Sequence, residues 1–189
     1  MDILTRLAID HLKCDPTKVI GLGTQLDTCR FRSLIAVELG LPPSQIKALI
    51  LGEHGDSMVP IWSSATAAGM PLLKLPGFTT AVQQKIFDRT KVGGAETIKL
   101  KGGAGYAVGL TIVEVIHAIA KAQPQILPVS TQLSGEYGIK GTCTSLPTLV
   151  GAGGVLKRYE LDLWPREVSG IQQGAKQLDG IYAQVQGQK

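Results

Sequence analysis

Apolar positions that recur every three or four residues predict five helices along the chain. Asp2 is the expected N-cap of the first helix, and Gly40 is expected to end the second. The third helix has a polar face, and its end is left open between residues 91 and 100 because two adjacent glycines interrupt the pattern. The predicted helices cover residues 3–13, 26–39, 80–91 or 80–100, 106–121 and 165–185.

Shorter apolar runs between glycines and prolines predict strands. Residues 46–51 form one such run, a glycine-flanked turn comes next at 52–56, and the strand pattern resumes at 59–62. Residues 19–22 are too few to separate a strand from a buried connector, and residues 71–76 are predicted to form a loop. An antiparallel meander is expected from the runs 126–133, 145–150 and 154–159. Because helices and antiparallel strands mix without a regular βαβ order, we predict one α+β domain over residues 1–189, with the helices packed on an antiparallel sheet.

Composition excludes several classes of protein. With 44% hydrophobic and 18% charged residues, the 189-residue chain resembles a packed globule and not a disordered one. No apolar run approaches the roughly 18 residues of a membrane helix, and the first residues carry no secretory signal. A scattered net charge of +4 is a weak argument for a nucleic-acid partner, so we predict neither nucleic-acid nor membrane binding. Three cysteines without paired or zinc-type spacing indicate no disulfide and no metal site, and they favour a reducing cytoplasm.

Three residues are the candidates for chemistry. Asp27 and Arg30 stand three positions apart, so a helix would project them from neighbouring positions on one face. His54 lies in a turn between Gly52 and Gly55, which permit a sharp backbone path. A histidine exchanges protons near neutral pH, a carboxylate fixes its tautomer, and an arginine binds a carboxylate with a planar fork. Together they describe a site for a small carboxylic acid whose neighbouring hydroxyl or carbonyl gains or loses a proton.

Ordinary structural roles also account for each of these residues. A histidine in a turn is more often solvated than catalytic. Asp27 is equally suited to an N-cap, and Asp27 with Arg30 to a surface ion pair worth roughly 0.2–0.5 kcal/mol. The residue types alone leave both interpretations open.

Two longer segments closely resemble the lactate/malate dehydrogenase family. They are residues 19–32, VIGLGTQLDTCRFR, and residues 50–57, ILGEHGDS. Lys101-Gly102 before an apolar helix, the strand at 126–130 and the C-terminal helix also occur in the family's order. The resemblance implies the α+β fold of that family's C-terminal, substrate-binding domain.

The resemblance also implies roles for the three candidates. His54 would be the proton donor and acceptor, Asp27 its orienting carboxylate, and Arg30 the anchor of the substrate carboxylate. In this family a hydride moves between C2 of a 2-hydroxy acid and the nicotinamide of NAD, while the histidine moves the hydroxyl proton. NAD and a small 2-hydroxy or 2-oxo acid are therefore the implied cofactor and substrate.

The dinucleotide-binding domain of the family is expected to be absent from residues 1–189. That domain needs a strand, a GxGxxG turn and a helix, then an acidic residue about 20 positions on. Gly21 and Gly23 are not followed by the third glycine of that turn. The glycine-rich residues 151–154 precede a strand-like segment, where the turn would need a helix. We therefore interpret both groups as turns, and we predict that this chain alone does not turn over substrate.

The resemblance implies roles at two further positions. Ala104 occupies the part of the pocket wall where lactate enzymes present a threonine, and its small side chain favours malate or another larger 2-hydroxy acid. Val108, one turn further along, occupies the position that presses against the nicotinamide ring. The alternative is that this glycine-rich run is only a helix entry.

Two interpretations of the whole chain remain open. The first is the catalytic half of an NAD-dependent 2-hydroxy-acid dehydrogenase, active only with a nucleotide-binding half supplied by another chain or by an upstream reading frame. The second is a non-catalytic truncated paralogue that acts as an oligomerisation module. It would assemble with itself or with full-length dehydrogenase subunits.

Overall fold

A computed structural model of the chain describes residues 1–187, which contain five α-helices and six strands. Short helical turns occupy Pro16–Lys18, Pro43–Gln45, Leu72–Lys74 and Glu136–Gly138. In chain order the main elements are α1 (Asp2–Leu12), α2 (Gln25–Leu39), β1 (Ile46–Leu51), β2 (Val59–Ala67), β3 (Met70–Pro71), α3 (Thr80–Lys101), α4 (Gly105–Ala120), β4 (Gln125–Ser134), β5 (Lys140–Gly151), β6 (Gly154–Arg158) and α5 (Pro165–Gly187).

The strands form two antiparallel sheets of three strands each, in the orders β1-β2-β3 and β4-β5-β6. A single bridge between Gly52 and Ser145 joins β5 to the residue immediately after β1. A second bridge, between Gly21 and Ser130, fixes the segment before α2 onto β4. The start of α2 and the end of β1 are thereby attached to neighbouring strands of the same meander.

Two apolar clusters hold these layers together. In the first, Phe31 and Ile35 of α2 are fully buried, and the ring of Phe31 meets the edge of Trp62 with 4.8 Å between centroids. In the second, Leu51 and Leu146 pack with Ile171 of α5. Helix α2 and strand β1 are therefore each anchored in the core immediately beside the residues that the sequence singled out for chemistry.

Glu167, in the first turn of α5, is a buried carboxylate that connects three backbone segments. Its Oε1 accepts hydrogen bonds from the amides of Trp62 (2.8 Å) and Ser63 (3.1 Å) in β2. Its Oε2 accepts the amide of Trp164, at 3.0 Å, just before the helix begins. A single side chain thus caps α5 and fixes it to β2.

Most of the predicted elements are confirmed, and the exceptions have local causes. Met1, not Asp2, is the N-cap of α1, so that prediction was wrong: Asp2 lies in the first turn and points inward. The connector at 19–22 contributes only the bridge at Gly21, and the predicted loop at 71–76 contains the end of β3 and a helical turn. Helix α3 runs unbroken to Lys101 despite its two glycines.

Helices α3 and α4 leave apolar side chains uncovered. Leu100, Tyr106 and Leu110 are 85%, 81% and 72% exposed, whereas Thr111 and Ala118 are the residues of α4 that are buried. Within residues 1–187, no helix has both the length and the apolar character that crossing a bilayer requires.

Candidate active site

Helix α2 places Asp27 and Arg30 together, as their spacing predicts. The Asp27 side chain is almost completely buried. Its Oδ1 lies 3.4 Å from a guanidinium nitrogen of Arg30, and its Oδ2 lies 2.5 Å from Nδ1 of His54. One carboxylate therefore contacts both the arginine of its own helix and a histidine 27 residues away in the chain.

The turn after β1 brings His54 to this carboxylate. Gly52 has φ +85°, a conformation that glycine adopts without strain. Its amide and carbonyl both pair with Ser145, so the turn starts from a fixed point. The His54 side chain remains 37% exposed, with Nδ1 engaged by Asp27 and the other ring nitrogen left for exchange with a ligand.

Asp2 is the site residue that the sequence interpretation missed. It is buried, and its Oδ2 accepts the backbone amide of His54 at 2.9 Å, while its Oδ1 has no hydrogen-bond partner among the described residues. The sequence carries no local signal for this contact, because the two residues lie 52 positions apart. Asp2 therefore fixes the backbone of the histidine whose ring Asp27 orients.

These contacts raise the pKa of His54 above the ordinary value for histidine. The hydrogen bond that His54 donates to Asp27 is the main cause, and the negative charges of Asp27 and Asp2 act in the same direction. Burial and the α-ammonium group of Met1 oppose the shift. The imidazolium form is therefore favoured at this position.

Replacing Asp27 with asparagine is expected to lower the pKa of His54, because the hydrogen bond and charge that raise it are lost. The raised folded-state pKa means that the pair stabilises the fold fully below the ordinary histidine value of about 6.5. That contribution disappears as the pH rises through the folded-state pKa. An NMR titration of the His54 ring measures the pKa, and urea unfolding at pH values on either side measures the stability.

The matched control for this variant is Asp88→Asn, which changes an exposed carboxylate in α3 that accepts a hydrogen bond from Gln84. It is expected to leave the titration of His54 unchanged. An unchanged His54 pKa in Asp27→Asn would contradict the assigned cause.

A cleft of about 390 Å³ opens beside these groups, between α2, α3, the histidine turn and the start of α4. All five residues predicted for the site line it: Asp27, Arg30, His54, Ala104 and Val108. Two charged residues that the sequence interpretation did not select, Asp56 and Lys91, also line it. One face of α3 lines the cleft with Lys91, Gly94, Ala95 and Ile98. The helical spacing of these residues in the sequence could have indicated that Lys91 faces the site.

Arg30 lies against the two glycines of α3. A Cβ atom at Gly94 would be 3.4 Å from a guanidinium nitrogen of Arg30, and one at Gly93 would be 3.6 Å from its Cδ. Arg30 therefore packs beside α3 at these two glycines, at distances that a Cβ atom would meet as ordinary van der Waals contacts. These are the two glycines that left the end of α3 open in the sequence analysis. In the structure they lie against Arg30.

Neither glycine-rich segment forms a cradle for a dinucleotide. A Cβ atom at Gly21 would meet the Thr5 hydroxyl at 2.2 Å, and one at Gly23 would meet the Ser145 hydroxyl at 2.3 Å. The glycines at 151–154 form the tight connection between β5 and β6. Other parts of the chain therefore pack closely against Gly21 and Gly23.

Comparison with protein families places this geometry in context. A family model described as lactate/malate dehydrogenase, alpha/beta C-terminal domain, matches residues 24–187. The chain belongs to this family. The resemblance inferred from residues 19–32 and 50–57 and the predicted α+β fold are both confirmed.

Relatives in the lactate/malate dehydrogenase family extend the match over nearly the whole chain. An L-lactate dehydrogenase from Gloeobacter violaceus is 37% identical over 190 residues, covering 96% of this chain and 58% of the relative. A malate dehydrogenase from Cytophaga hutchinsonii is 36% identical over 182 residues, with the same two coverages. The chain thus spans a little under three fifths of the length of these relatives.

Solved structures agree with the family assignment. The ligand-bound crystal structure of the minor L-lactate dehydrogenase from Enterococcus mundtii superposes with a TM-score of 0.93 at 33% identity. The superposition covers 97% of this chain and 60% of the Enterococcus mundtii chain. An L-lactate dehydrogenase from Clostridium thermocellum gives a TM-score of 0.89, with coverages of 97% and 62%.

Proposed function

We propose that the chain is the catalytic half of an NAD-dependent 2-hydroxy-acid dehydrogenase. The observation that carries this proposal is the convergence of Asp27, Arg30 and His54 on one cleft. The three groups match the three needs of the reaction: a proton exchanger, a carboxylate that orients it, and a cation for the substrate carboxylate.

His54 moves the proton. With Nδ1 held by Asp27, its Nε2 accepts the hydroxyl proton as C2–OH becomes C2=O, and the imidazolium that forms is stabilised by the same carboxylate. In the reverse direction the imidazolium donates that proton to the oxygen of a 2-oxo acid. The raised pKa of His54 favours the protonated form, which is the form that donates the proton to a 2-oxo acid.

Arg30 holds the substrate by its carboxylate. The Asp27 contact and the glycine pair of α3 hold its guanidinium on the cleft wall. A planar fork in a fixed orientation binds a carboxylate through two hydrogen bonds. C2 of the bound acid then lies between this anchor and His54.

The described residues suit the nicotinamide end of NAD and not its phosphates. Val108 and Ala104 give the cleft an apolar wall on which a flat ring can rest, whereas Gly21 and Gly23 are packed against protein atoms. When bound, NAD supplies the hydride acceptor for C2. A nucleotide-binding half is therefore needed to complete the site, in keeping with the greater length of the relatives.

The small side chains of Ala95 and Ala104 on the cleft wall leave room for a larger substrate such as malate. The names of most relatives, which are L-lactate dehydrogenases, favour lactate as the second candidate. Oxaloacetate and pyruvate, the corresponding 2-oxo acids, distinguish the two.

A complementation assay tests this function. The purified chain is mixed with a separately produced nucleotide-binding half of the Gloeobacter violaceus relative, and NADH consumption is followed with oxaloacetate or pyruvate. We expect no turnover by the chain alone, turnover by the mixture, and a higher kcat/KM for oxaloacetate. Turnover by the chain alone would refute the need for a second half.

The same mixture tests the alternative, a non-catalytic module that oligomerises with itself or with dehydrogenase subunits. The exposed apolar residues of α3 and α4 favour this alternative, because such a surface is typical of an interface. Stable assembly without turnover, measured by size-exclusion chromatography and absorbance, would support it over the enzyme.

A further inference from the structure

One edge of β1 forms hydrogen bonds with side chains of α2 in place of a neighbouring strand. Among residues 1–187, β1 is hydrogen-bonded in its sheet to β2, and no described strand pairs with its other edge. The Oγ1 of Thr28 accepts the amide of Ile50 at 3.0 Å and donates to the carbonyl of Ile50 at 3.3 Å. Thr24 donates to the same carbonyl at 2.6 Å, and Nε of Arg32 donates to the carbonyl of Ala48 at 2.8 Å.

The geometry of the two elements explains why this pairing works. Residues four apart on a helix are separated by about 6.0 Å along the axis, and residues two apart on a strand by about 6.6 Å. Thr28 and Arg32 of α2 therefore match Ile50 and Ala48 of β1 in antiparallel register. The Thr28–Ile50 and Arg32–Ala48 hydrogen bonds therefore form together in this register.

Burial makes this register costly to change. Thr24 and Thr28 are completely buried, and so is Ile50. A buried amide or carbonyl that loses its partner costs about 1–3 kcal/mol. The pairing therefore resists sliding of α2 along β1 more firmly than apolar contacts, which allow small displacements.

We propose that Thr28 is a positioning residue that sets the distance between Asp27 and His54. Asp27 precedes Thr28 in α2, and His54 lies four residues after Ile50 through the turn, so the Thr28–Ile50 pair joins the two chain segments that carry these groups. The proposal rests on the proposed function only in that Asp27 and His54 are the groups being positioned.

The pKa of His54 depends on the distance between its ring and the Asp27 carboxylate. The charged groups around the ring are the α-ammonium group of Met1 and Asp2 from α1, and Asp56, Lys91 and Arg30 on the cleft wall, in addition to Asp27. Replacing Thr28 changes none of these charges. A change in the His54 pKa would therefore come from a change in the contacts or burial of the ring, among which the Asp27 hydrogen bond has the largest effect.

The experiment compares Thr28→Val, Thr28→Ser and Thr90→Val by NMR titration of His54 in the whole chain. Thr90 is a matched control, since it is also completely buried and its hydroxyl bonds only to Ile86 of its own helix. We expect Thr28→Val to lower the His54 pKa in the direction that Asp27→Asn does, Thr28→Ser to restore the wild-type value, and Thr90→Val to leave it unchanged.

A folded Thr28→Val chain with the wild-type His54 pKa would overturn the proposal, even if its stability fell, because a purely structural role predicts that outcome. Thr28→Ala removes the hydroxyl without the branched side chain and provides the same comparison if the valine chain does not fold. The titration needs no turnover. Its failure is therefore distinguishable from failure of the complementation assay.

Discussion

Replacing His54 with asparagine is expected to reduce turnover of the complemented dehydrogenase by about 10²–10⁴-fold, the usual contribution of a positioned acid–base group. Asparagine cannot exchange a proton near neutral pH, whereas Arg30, the proposed anchor of the substrate carboxylate, is left in place. The loss should therefore fall on kcat, with a much smaller change in KM. Steady-state NADH consumption with oxaloacetate measures both.

His11→Asn is the control for this variant. His11 is exposed near the end of α1 and does not line the cleft. It should turn over substrate at the wild-type rate in the same assay. If His54→Asn kept turnover within a few-fold of wild type, the proton-transfer role of His54 would be wrong.

Replacing Glu167 with alanine is expected to destabilise the fold by at least about 3 kcal/mol, because each amide left without a partner costs about 1–3 kcal/mol. Three amides are affected, those of Trp62, Ser63 and Trp164. Urea unfolding followed by tryptophan fluorescence measures the loss, since Trp62 is buried beside the carboxylate.

Two further variants distinguish the stability lost with the buried hydrogen bonds of Glu167 from the stability lost with its charge. Glu167→Gln keeps one acceptor oxygen but turns an amide group toward a backbone donor, so an intermediate loss is expected. Glu96→Ala removes an exposed carboxylate paired with Arg89 at 3.4 Å, and it should cost no more than about 1 kcal/mol. A Glu167→Ala chain as stable as Glu96→Ala would show that the three amides find other partners.

Local signals in the sequence predicted most of the fold. Gly40 ends α2 in the left-handed conformation that glycine favours, as expected. Strand β1 has the predicted bounds, and the runs near the C-terminus form the predicted antiparallel meander. These features depend on a few neighbouring residues, which is why a pattern along the chain is enough to find them.

Long-range contacts account for the features that the sequence did not reveal. The polar Asp2 looked like a cap, but its partner is the amide of His54, 52 residues away. Helix α3 runs unbroken through two glycines, beside which Arg30 of α2 packs, 63 residues earlier in the chain for Gly93. Likewise, nothing near Thr28 indicates that a strand edge lies beside it.

The candidate site was predictable for a different reason. Asp27 and Arg30 are close in the chain and share a helix face, so helical geometry was enough to predict their proximity. The meeting of His54 with Asp27 came from resemblance to a family, because no spacing rule brings together residues 27 positions apart. The catalytic roles of these residues stay predictions until turnover is measured.

Helix α2 both binds β1 and lines the cleft, and this limits which mutations its coding sequence can accept. Positions 24, 28 and 32 serve the strand, and positions 27 and 30 serve the cleft, all within nine residues. Each residue added to or removed from a helix rotates all later positions of that helix by about 100°. Point substitutions can therefore accumulate at the outward positions, whereas a codon insertion or deletion in this stretch would misdirect both sets at once.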